Sequence, residues 1–323
     1  MSRVLSRYGW PLGLLAVLVM LLIFTRIIQP NFGSTGLDSL ARAALPFAFA
    51  TVGMAIVVIA GGIDLSIASV MAVAGVTAAT LMQQWGVDAT IPVLGIVLLA
   101  GAAMGAINGT LIVLTRVPDI VVTLAMLFVW EGAALLILNA PGGTATPWLR
   151  SMVAGGLALP GIPAEFTAWL PHAVIALGAI VLLVWLPLRR TKLGLSIYAI
   201  GSDQDAAFRS GVPIGITRIA AYAIAGVFAA LGGLAITLNT GVGEPIPGPY
   251  LLASVAAVVL GGVALTGGRG GLLGPLIAVF ILRTVRLDLT LLSVDPNITT
   301  IIEGIIMVTV VMVGGLLALR GRH

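Results

Sequence analysis

The chain has 323 residues, of which 59% are hydrophobic and 9% are charged, and it carries a formal net charge of +4. Its mean hydropathy is +1.17. Soluble domains carry about a quarter charged residues, so this composition excludes an ordinary water-soluble protein and indicates one that crosses a membrane many times. The absence of cysteine excludes disulfides, thiolate metal sites and cysteine nucleophiles.

Ten segments are long and apolar enough to cross a bilayer, because the hydrocarbon core of roughly 30 Å needs a helix of about 20 residues. They cover residues 10–30, 44–61, 65–83, 91–115, 119–138, 168–188, 217–238, 251–266, 271–287 and 298–319. The first lacks a small-residue cleavage site, so we expect it to be retained. The predicted fold is an all-α membrane protein with glycine-broken helices, forming one transmembrane domain over residues 1–323.

Basic residues predict the orientation, because loops rich in Lys and Arg stay on the cytoplasmic side. With the N-terminus inside, eleven of the sixteen basic residues are cytoplasmic. These are Arg3, Arg7, Arg116, Arg189, Arg190, Lys192, Arg209, Arg218, Arg269, Arg320 and Arg322. The outer side then holds Arg26, Arg42, Arg150, Arg283 and Arg286. Both termini are expected in the cytoplasm.

Two loops are longer than the turns elsewhere. Residues 139–167 are rich in Pro and Gly, and we expect them outside as a cap or lid. Residues 187–216 are the most charged part of the chain and are expected inside. Within them, Asp203 to Ser210 is predicted to form a short amphipathic helix, since Ser202 or Asp203 can cap its start and Gly211 its end. This helix is a candidate docking element; alternatively, the charges only fix the topology.

The stretch AGGIDLS at residues 60–66 interrupts an apolar run. Gly61 and Gly62 permit a sharp bend, and Asp64 or Ser66 can cap the helix that restarts. A helix broken within hydrocarbon is tolerated only beside protein or a water-filled cavity, so the break can also line a passage for a polar solute. The stretch VVLGGVALTGGR at 258–269 has a similar pattern, and paired glycine breaks indicate a transport site.

Two glutamates lie inside predicted spans, where ionisable groups are costly and usually functional. Glu131 and Glu303 either contribute to a solute pathway, lie near a surface, or pair with an arginine such as Arg150 or Arg286. The sequence leaves these alternatives open.

Other polar side chains join the candidates for the pathway. Trp130 either stacks on a sugar ring or anchors at the bilayer interface. Asn108 and Thr123 either contact the solute or form hydrogen bonds between helices. The predicted pathway set is Asp64, Ser66, Asn108, Thr123, Trp130 and Glu131. The glycines at 101, 105 and 109 most simply indicate close helix packing.

Several catalytic and nucleotide-binding patterns are absent. No G-x-x-x-x-G-K-[ST] loop occurs and the only lysine is Lys192, so the chain has no P-loop for ATP. His172 and His323 are not spaced as a metal pair, and no serine stands in a G-x-S-x-G elbow. We therefore expect neither a catalytic nor a metal site. A transporter of this kind takes its energy from ions or from another polypeptide.

Four stretches carry a family resemblance: VGMAIVVIAGGIDLSIASVMAVAG (52–75), NGTLIVLTRVPDIVVTLAML (108–127), GLSIYAIGSDQDAAFRSGV (194–212) and AAVVLGGVALTGGRGGLLGPLIAVFIL (256–282). On these stretches the chain resembles, over residues 37–319, the permease subunits of ribose-type ABC importers, which take up monosaccharides. The resemblance implies a type II importer-like permease in the bacterial inner membrane, which performs no covalent chemistry.

The resemblance also implies partners. Such importers combine two permease subunits, identical or different, with cytoplasmic ABC ATPase domains and a periplasmic sugar-binding protein, in a lipid bilayer and without nucleic acid. ATP and Mg would bind to the ATPase, so this chain needs no cofactor of its own. The ATPase-coupling role falls on Asp203, Gln204, Asp205, Ala206, Ala207, Arg209, Ser210 and Gly211.

The chain departs from the family pattern at three places. YLLASVAA at 250–257 stands where relatives commonly carry Y-E-L-D-A-I-A-A, Glu131 replaces an arginine, and Glu303 replaces a lysine. These exchanges leave the specific sugar open and are compatible with one half of a heterodimer. Two other hypotheses are an ion-coupled secondary transporter that uses Asp64 and Glu131, and a membrane scaffold whose glycine breaks are dry.

Overall fold

A computed structural model of the chain describes residues 2–156, 167–246 and 248–320. Its helices are α1 (Ser2–Ile28), α2 (Ser34–Ile59), α3 (Ile67–Trp85), α4 (Thr90–Thr115), α5 (Asp119–Ile137), α6 (Pro147–Ser151), α7 (His172–Arg190), α8 (Lys192–Ser202), α9 (Gln204–Arg209), α10 (Ile214–Thr240), α11 (Tyr250–Leu260), α12 (Leu273–Leu291) and α13 (Pro296–Arg320). Within these ranges the only β-structure is two isolated bridges, at Gly142–Gly243 and Gly156–Pro171. The all-α prediction is confirmed.

Each of the ten predicted spans has a helix in the described chain. Seven of these helices, α1 to α5, α7 and α10, are long and apolar enough to cross a membrane. Helix α11 has only 11 residues, about half the length of a full span. Helix α12 carries Arg283, Arg286 and Asp288 within its 19 residues, and α13 is apolar from Pro296 to Thr309.

Two predicted boundaries were wrong in ways that matter. Helix α2 begins at Ser34, ten residues before the predicted start, because Asp38 and Arg42 form an ion pair of 3.0 Å across one turn and extend it with a polar end. Helix α12 runs to Leu291, four residues beyond the predicted end, so Arg283 lies well inside the helix and not at its outer end, the side to which it was assigned. Of the predicted outer loop, residues 139–156 contain the short helix α6, and 157–166 lie outside the described residues.

Helix α2 forms the centre of the bundle. In its most apolar stretch 89% of residues are buried, whereas the corresponding share in α1 is 11%. Helices α7, α10, α11 and α12 pack around α2. A helix that is apolar on every side is expected in such a buried position, and α1 in turn exposes its surface to lipid.

Glycines bring α4 and α10 into backbone contact. A methyl group on Gly101 would lie 2.5 Å from the carbonyl oxygen of Gly226, and one on Gly109 would lie 2.8 Å from the Cα of Ile219. A methyl group on Gly105 would overlap the carbonyl oxygen of Tyr222. The close packing predicted for this glycine row is confirmed.

The bundle has two distinct ends. At one, which we call the glycine end, the α2–α3 turn (60–66), the α11–α12 loop (261–272) and the last residues of α8 meet. At the other, the loop end, the Ala145 N–H donates to the Gly241 carbonyl over 2.9 Å. The glycine end holds seven of the basic residues predicted to be cytoplasmic: Arg116, Arg189, Arg190, Lys192, Arg209, Arg218 and Arg269.

Candidate functional site

The predicted short helix in the charged loop is present as α9. The Asp203 carboxylate accepts the Ala206 N–H over 2.9 Å and so caps its start. Gly211, with φ of +81°, ends it in a left-handed conformation that favours glycine. Between them, Ala207 is buried, and Phe208 is 70% exposed. The helix therefore presents an aromatic side chain and several charges on an open surface.

A groove lies beside this helix at the glycine end. It encloses about 630 Å³ between α9, the start of α10 and the α4–α5 turn. Phe208, Arg116 and Arg218 line it together with Asp119. This surface combines apolar and charged groups, as protein-binding surfaces do.

The two glycine-rich stretches form the same backbone turn. In the first, the Gly61 and Gly62 N–H groups donate to the carbonyls of Val58 and Val57 over 2.9 and 3.0 Å. In the second, Gly262 and Val263 donate to Val259 and Val258 over 2.9 and 3.1 Å. Gly61 and Gly262 have φ of +84° and +83°, the left-handed geometry of a helix-ending Schellman motif.

These turns end helices at one side of the bundle. The first stretch was predicted to interrupt a span, but it joins the end of α2 to the start of α3 as a connecting turn. The physical reason is that the Schellman bonds satisfy the last carbonyls of α2, so the chain reverses without exposing them.

Gly201, near the end of α8, lies between the two turns. The Gly268 N–H donates to the Ile59 carbonyl over 2.9 Å. A methyl group on Gly201 would overlap that carbonyl oxygen and approach the Gly268 nitrogen to 2.6 Å. A methyl group on Gly267 would lie 2.9 Å from the Gly61 Cα. Three backbone segments therefore touch directly, three residues before α9 begins.

Side chains form a second link between α9 and the α2–α3 turn. The Arg218 guanidinium donates to the Gln204 side-chain oxygen over 3.4 Å and lies 3.9 Å from the Asp119 carboxylate. The Tyr222 hydroxyl donates to that carboxylate over 2.7 Å and lies 3.3 Å from the Ile63 carbonyl oxygen. The chain of contacts runs from α9 through α10 and α5 to the turn.

The structure joins five of the six predicted pathway residues in one buried network. Asp64 accepts the Ser66 N–H and hydroxyl over 2.9 and 2.6 Å, which holds the turn just before α3; the predicted cap on the first turn of α3 is wrong, because no side chain caps that end of the helix. The Asn108 amide donates to the Ser66 hydroxyl over 2.7 Å and accepts the Trp130 indole N–H over 3.2 Å. The Thr123 hydroxyl accepts the Leu65 N–H over 3.1 Å.

This network joins α3, α4 and α5. Asp64, Ser66, Asn108 and Thr123 are buried. Asn108 forms the helix–helix bond that was the alternative to solute contact, with Trp130 of α5, whereas Thr123 bonds to the backbone of the α2–α3 turn. Trp130 is 11 residues along α5, about 16 Å from its start, which is far from the headgroup level where interfacial tryptophans lie. Whether these side chains also contact a solute stays a prediction.

Burial raises the pKa of Asp64, in the turn between the two spans, from its ordinary value of 3.8 to about 6. Hydrogen bonds from the Ser66 hydroxyl and N–H oppose the shift, and the Asp119 charge adds to it. The carboxyl is therefore held against ionisation more strongly than an exposed aspartate.

The two glutamates have different surroundings. Glu303 pairs with Arg286 over 3.2 Å, which decides for the ion-pair alternative. Glu131 is half-buried, and no described residue pairs with it. Arg150, the other suggested partner, donates to the Leu238 carbonyl over 3.1 Å. The sequence pattern did not single out Asp119 or Tyr222 and did not indicate the contacts of Gly201, because these roles depend on residues far away in the chain.

Comparison with known proteins identifies the family. Residues 36–311 match the family described as the permease component of the branched-chain amino acid transport system. The chain belongs to this permease family. It is 29% identical over 322 residues to the autoinducer 2 import system permease protein LsrD of Escherichia coli O9:H4 (strain HS), of Escherichia coli (strain K12) and of Shigella flexneri. Each alignment covers 95% of this chain and 92% of the relative.

No solved structure matches this permease. Membership of the family agrees with the resemblance to ABC importer permeases drawn from the four sequence stretches. The chain is accordingly an integral membrane protein and a transport component.

Proposed function

We propose that this chain is the transmembrane permease subunit of an ATP-driven ABC importer that carries a sugar-like solute, with monosaccharides as the first class to test. Helix α9 carries this proposal, because it is exposed at its tip and joined to both glycine turns at its base. An exposed helix fixed to two core helices is suited to receive force from a partner. The relatives are permeases of a system whose name specifies import of autoinducer 2.

The ATPase would bind on the glycine end. Asp205, Phe208 and Arg209 project from α9 beside the groove, and an ATPase cleft that encloses α9 would contact all three. ATP and Mg bind to that partner. Closure of the ATPase pair would move α9, and the backbone contacts of Gly201 would transmit this movement to α2 and α11.

The remaining partners follow from the same proposal. The glycine end faces the cytoplasm of a bacterial cell together with both termini, since the basic residues concentrate there. A second permease subunit, identical or different, completes the passage across the inner membrane. A periplasmic binding protein delivers the solute to the loop end.

The ion-coupled alternative has less support in the geometry. Such a carrier needs a carboxylate that reaches water in at least one state. Asp64 is 2% exposed and accepts two hydrogen bonds from Ser66. It is better suited to holding the α2–α3 turn than to loading an ion.

Two measurements test the proposed function. The cognate binding protein is purified from cells, and the solute it carries is identified by mass spectrometry. The permease is then co-purified with the ATPase from the same operon, with the Asp205→Arg variant as a control for docking. We expect a hydroxylated solute and an ATPase that is retained by the wild type and lost by the variant. Retention by both would reject the docking assignment, and retention by neither would reject this ATPase as the partner.

A further inference from the structure

Arg283 is a cation in the interior of the bundle. Its guanidinium lies over the rings of Phe47 and Tyr250, with 5.2 and 5.6 Å to their centroids. Its Nε is buried and has no hydrogen-bond acceptor. Among the described residues no carboxylate forms a salt bridge with it, and the acids nearby in sequence are engaged elsewhere: Glu303 with Arg286, and Asp288 with Thr25.

The depth of this cluster follows from the helix rise of 1.5 Å per residue. Helices α2, α11 and α12 share one level at the glycine end, because Gly268 bonds to Ile59 and the Gly261 backbone touches that of Gly274. Phe47 is twelve residues from the end of α2, about 18 Å. Tyr250 is ten residues from the end of α11, and Arg283 is ten residues from the start of α12, about 15 Å in each case. A hydrocarbon core measures about 30 Å, so the three side chains lie near its middle.

Helix α11 begins at this depth. The chain is at the loop end at Gly243, which pairs with Gly142, and reaches the middle of the bundle at Tyr250. The connecting sequence EPIPGP has prolines at 245, 247 and 249, which have no N–H that would need a partner in hydrocarbon. Non-helical backbone at this depth is tolerated beside protein or a water-filled cavity. The interruption therefore precedes Tyr250, where α11 begins, and neither glycine stretch is the break.

The observations combine a half-length helix, its N-terminus at mid-depth, and an unpaired guanidinium held by two aromatic rings. Transporters bind solutes where a discontinuous helix starts near the middle of the membrane. A guanidinium only donates hydrogen bonds, through parallel N–H groups, so its partner must offer neighbouring acceptor oxygens. Vicinal hydroxyl groups on a ring meet this requirement, and aromatic faces provide contact for the ring's C–H groups.

We propose that the transported solute binds halfway across the membrane, at a site formed by Arg283, Phe47 and Tyr250. This site accepts a small hydroxylated ring molecule. This rests on the proposed transport function and specifies its site. The Arg283 guanidinium donates hydrogen bonds to the oxygen atoms of the solute, and the Tyr250 side chain limits the width of the binding site.

The absence of cysteine allows a direct test. Single cysteines are placed at Tyr250→Cys, Leu252→Cys and Ser254→Cys in the full complex in nanodiscs, and each is treated with the anionic thiol reagent MTSES. Leu252 is 65% exposed on the outside of α11, and Ser254 is buried. We expect the thiol of Tyr250→Cys to react with MTSES at least about tenfold faster than either control thiol. The binding site is filled with water, and the Arg283 charge attracts the anionic reagent. Equal rates at the three positions would overturn the proposal.

Two further arms test the charge and the occupant. Arg283→Gln, added to Tyr250→Cys, should slow MTSES labelling about tenfold, because the attracting charge is removed. Binding protein purified with its solute, but not solute-free binding protein, should protect Tyr250→Cys. Equal protection by both forms, or identification of an anionic solute without a hydroxylated ring, would overturn it. Failure of the proposed function is distinguishable, since it would appear as absent ATP-driven uptake whatever the labelling rates.

Discussion

The carbonyl oxygen of Ile59, at the end of α2, accepts a hydrogen bond of 2.9 Å from the backbone N–H of Gly268, in the α11–α12 loop. These residues are 209 positions apart in the chain, yet no side chain separates their backbones. Gly201 fills the remaining space. The contact fixes the central helix, the half-length helix and the base of the docking helix to one point, so movement of one must displace the others.

Gly201→Ala tests this junction. The added methyl group would overlap the Ile59 carbonyl oxygen, and backbone cannot yield as a flexible side chain does. We expect a loss of at least about 2 kcal/mol in the free energy of unfolding, measured by thermal denaturation in detergent. Gly178→Ala in α7 is the matched control, because a methyl group there meets nothing within 4 Å. It should raise stability by about 0.5–1 kcal/mol. Equal effects of the two variants would contradict the close junction.

Tyr222→Phe tests the side-chain link from α10 to the α2–α3 turn. Removing the buried hydroxyl leaves the Asp119 carboxylate without its 2.7 Å donor. We expect a destabilisation of about 1–2 kcal/mol, because a buried acceptor then lacks its partner. Tyr198→Phe removes a hydroxyl bonded to the Gly270 carbonyl at an exposed position, where water can replace it. A loss as large for Tyr198→Phe as for Tyr222→Phe would argue against a special role for Asp119.

Phe208→Ala tests the exposed face of α9. The side chain is 70% exposed and lines the groove, so its removal should leave the melting temperature of the permease unchanged. Binding of the ATPase should weaken at least about tenfold, as expected for an aromatic anchor at an interface. Leu195→Ala in α8 removes another exposed apolar side chain from the same end and should leave binding unaltered. The measurement is the affinity of ATPase for permease in detergent.

Asp64 predicts a pH dependence of stability. Its folded-state pKa of about 6 is above its ordinary value of 3.8, because burial disfavours the charged carboxylate. Below the ordinary pKa the protonated carboxyl contributes in full to the free energy of unfolding. This contribution falls as pH rises towards about 6 and no longer changes above that pH. Asp64→Asn keeps an acceptor for Ser66 and removes the titration. The difference in melting temperature between wild type and variant should therefore grow in the variant's favour between these pH values; a constant difference would refute the shift.

The sequence predicted the local features of this protein well. Ten apolar segments were enough to predict ten of the thirteen described helices, though not α6 or α8. Asp203 and Gly211 were enough to predict both ends of α9, since capping depends on residues next to each other. The glycine row on α4 predicted close packing because small side chains at four-residue spacing share one helix face.

The features that depend on distant contacts were not accessible from one sequence. Nothing near Asp119 in the chain indicates Tyr222, 103 residues later, as its partner. Arg283 was assigned to the outer side because it lies near the outer end of the short predicted span 271–287, and the helix runs on to Leu291. AGGIDLS was expected to break a span, since glycine pairs indicate a bend without showing where in the bundle it lies.

The central claim is that an ATPase drives this permease through α9, and one measurement tests it most directly. The permease, its ATPase and its binding protein are reconstituted in proteoliposomes, and ATP hydrolysis and uptake of the solute identified on the binding protein are followed together. We predict that loaded binding protein stimulates both, and that Asp205→Arg abolishes both while the permease keeps its melting temperature. Uptake that continues without ATP and stops when the proton gradient is dissipated would contradict the account.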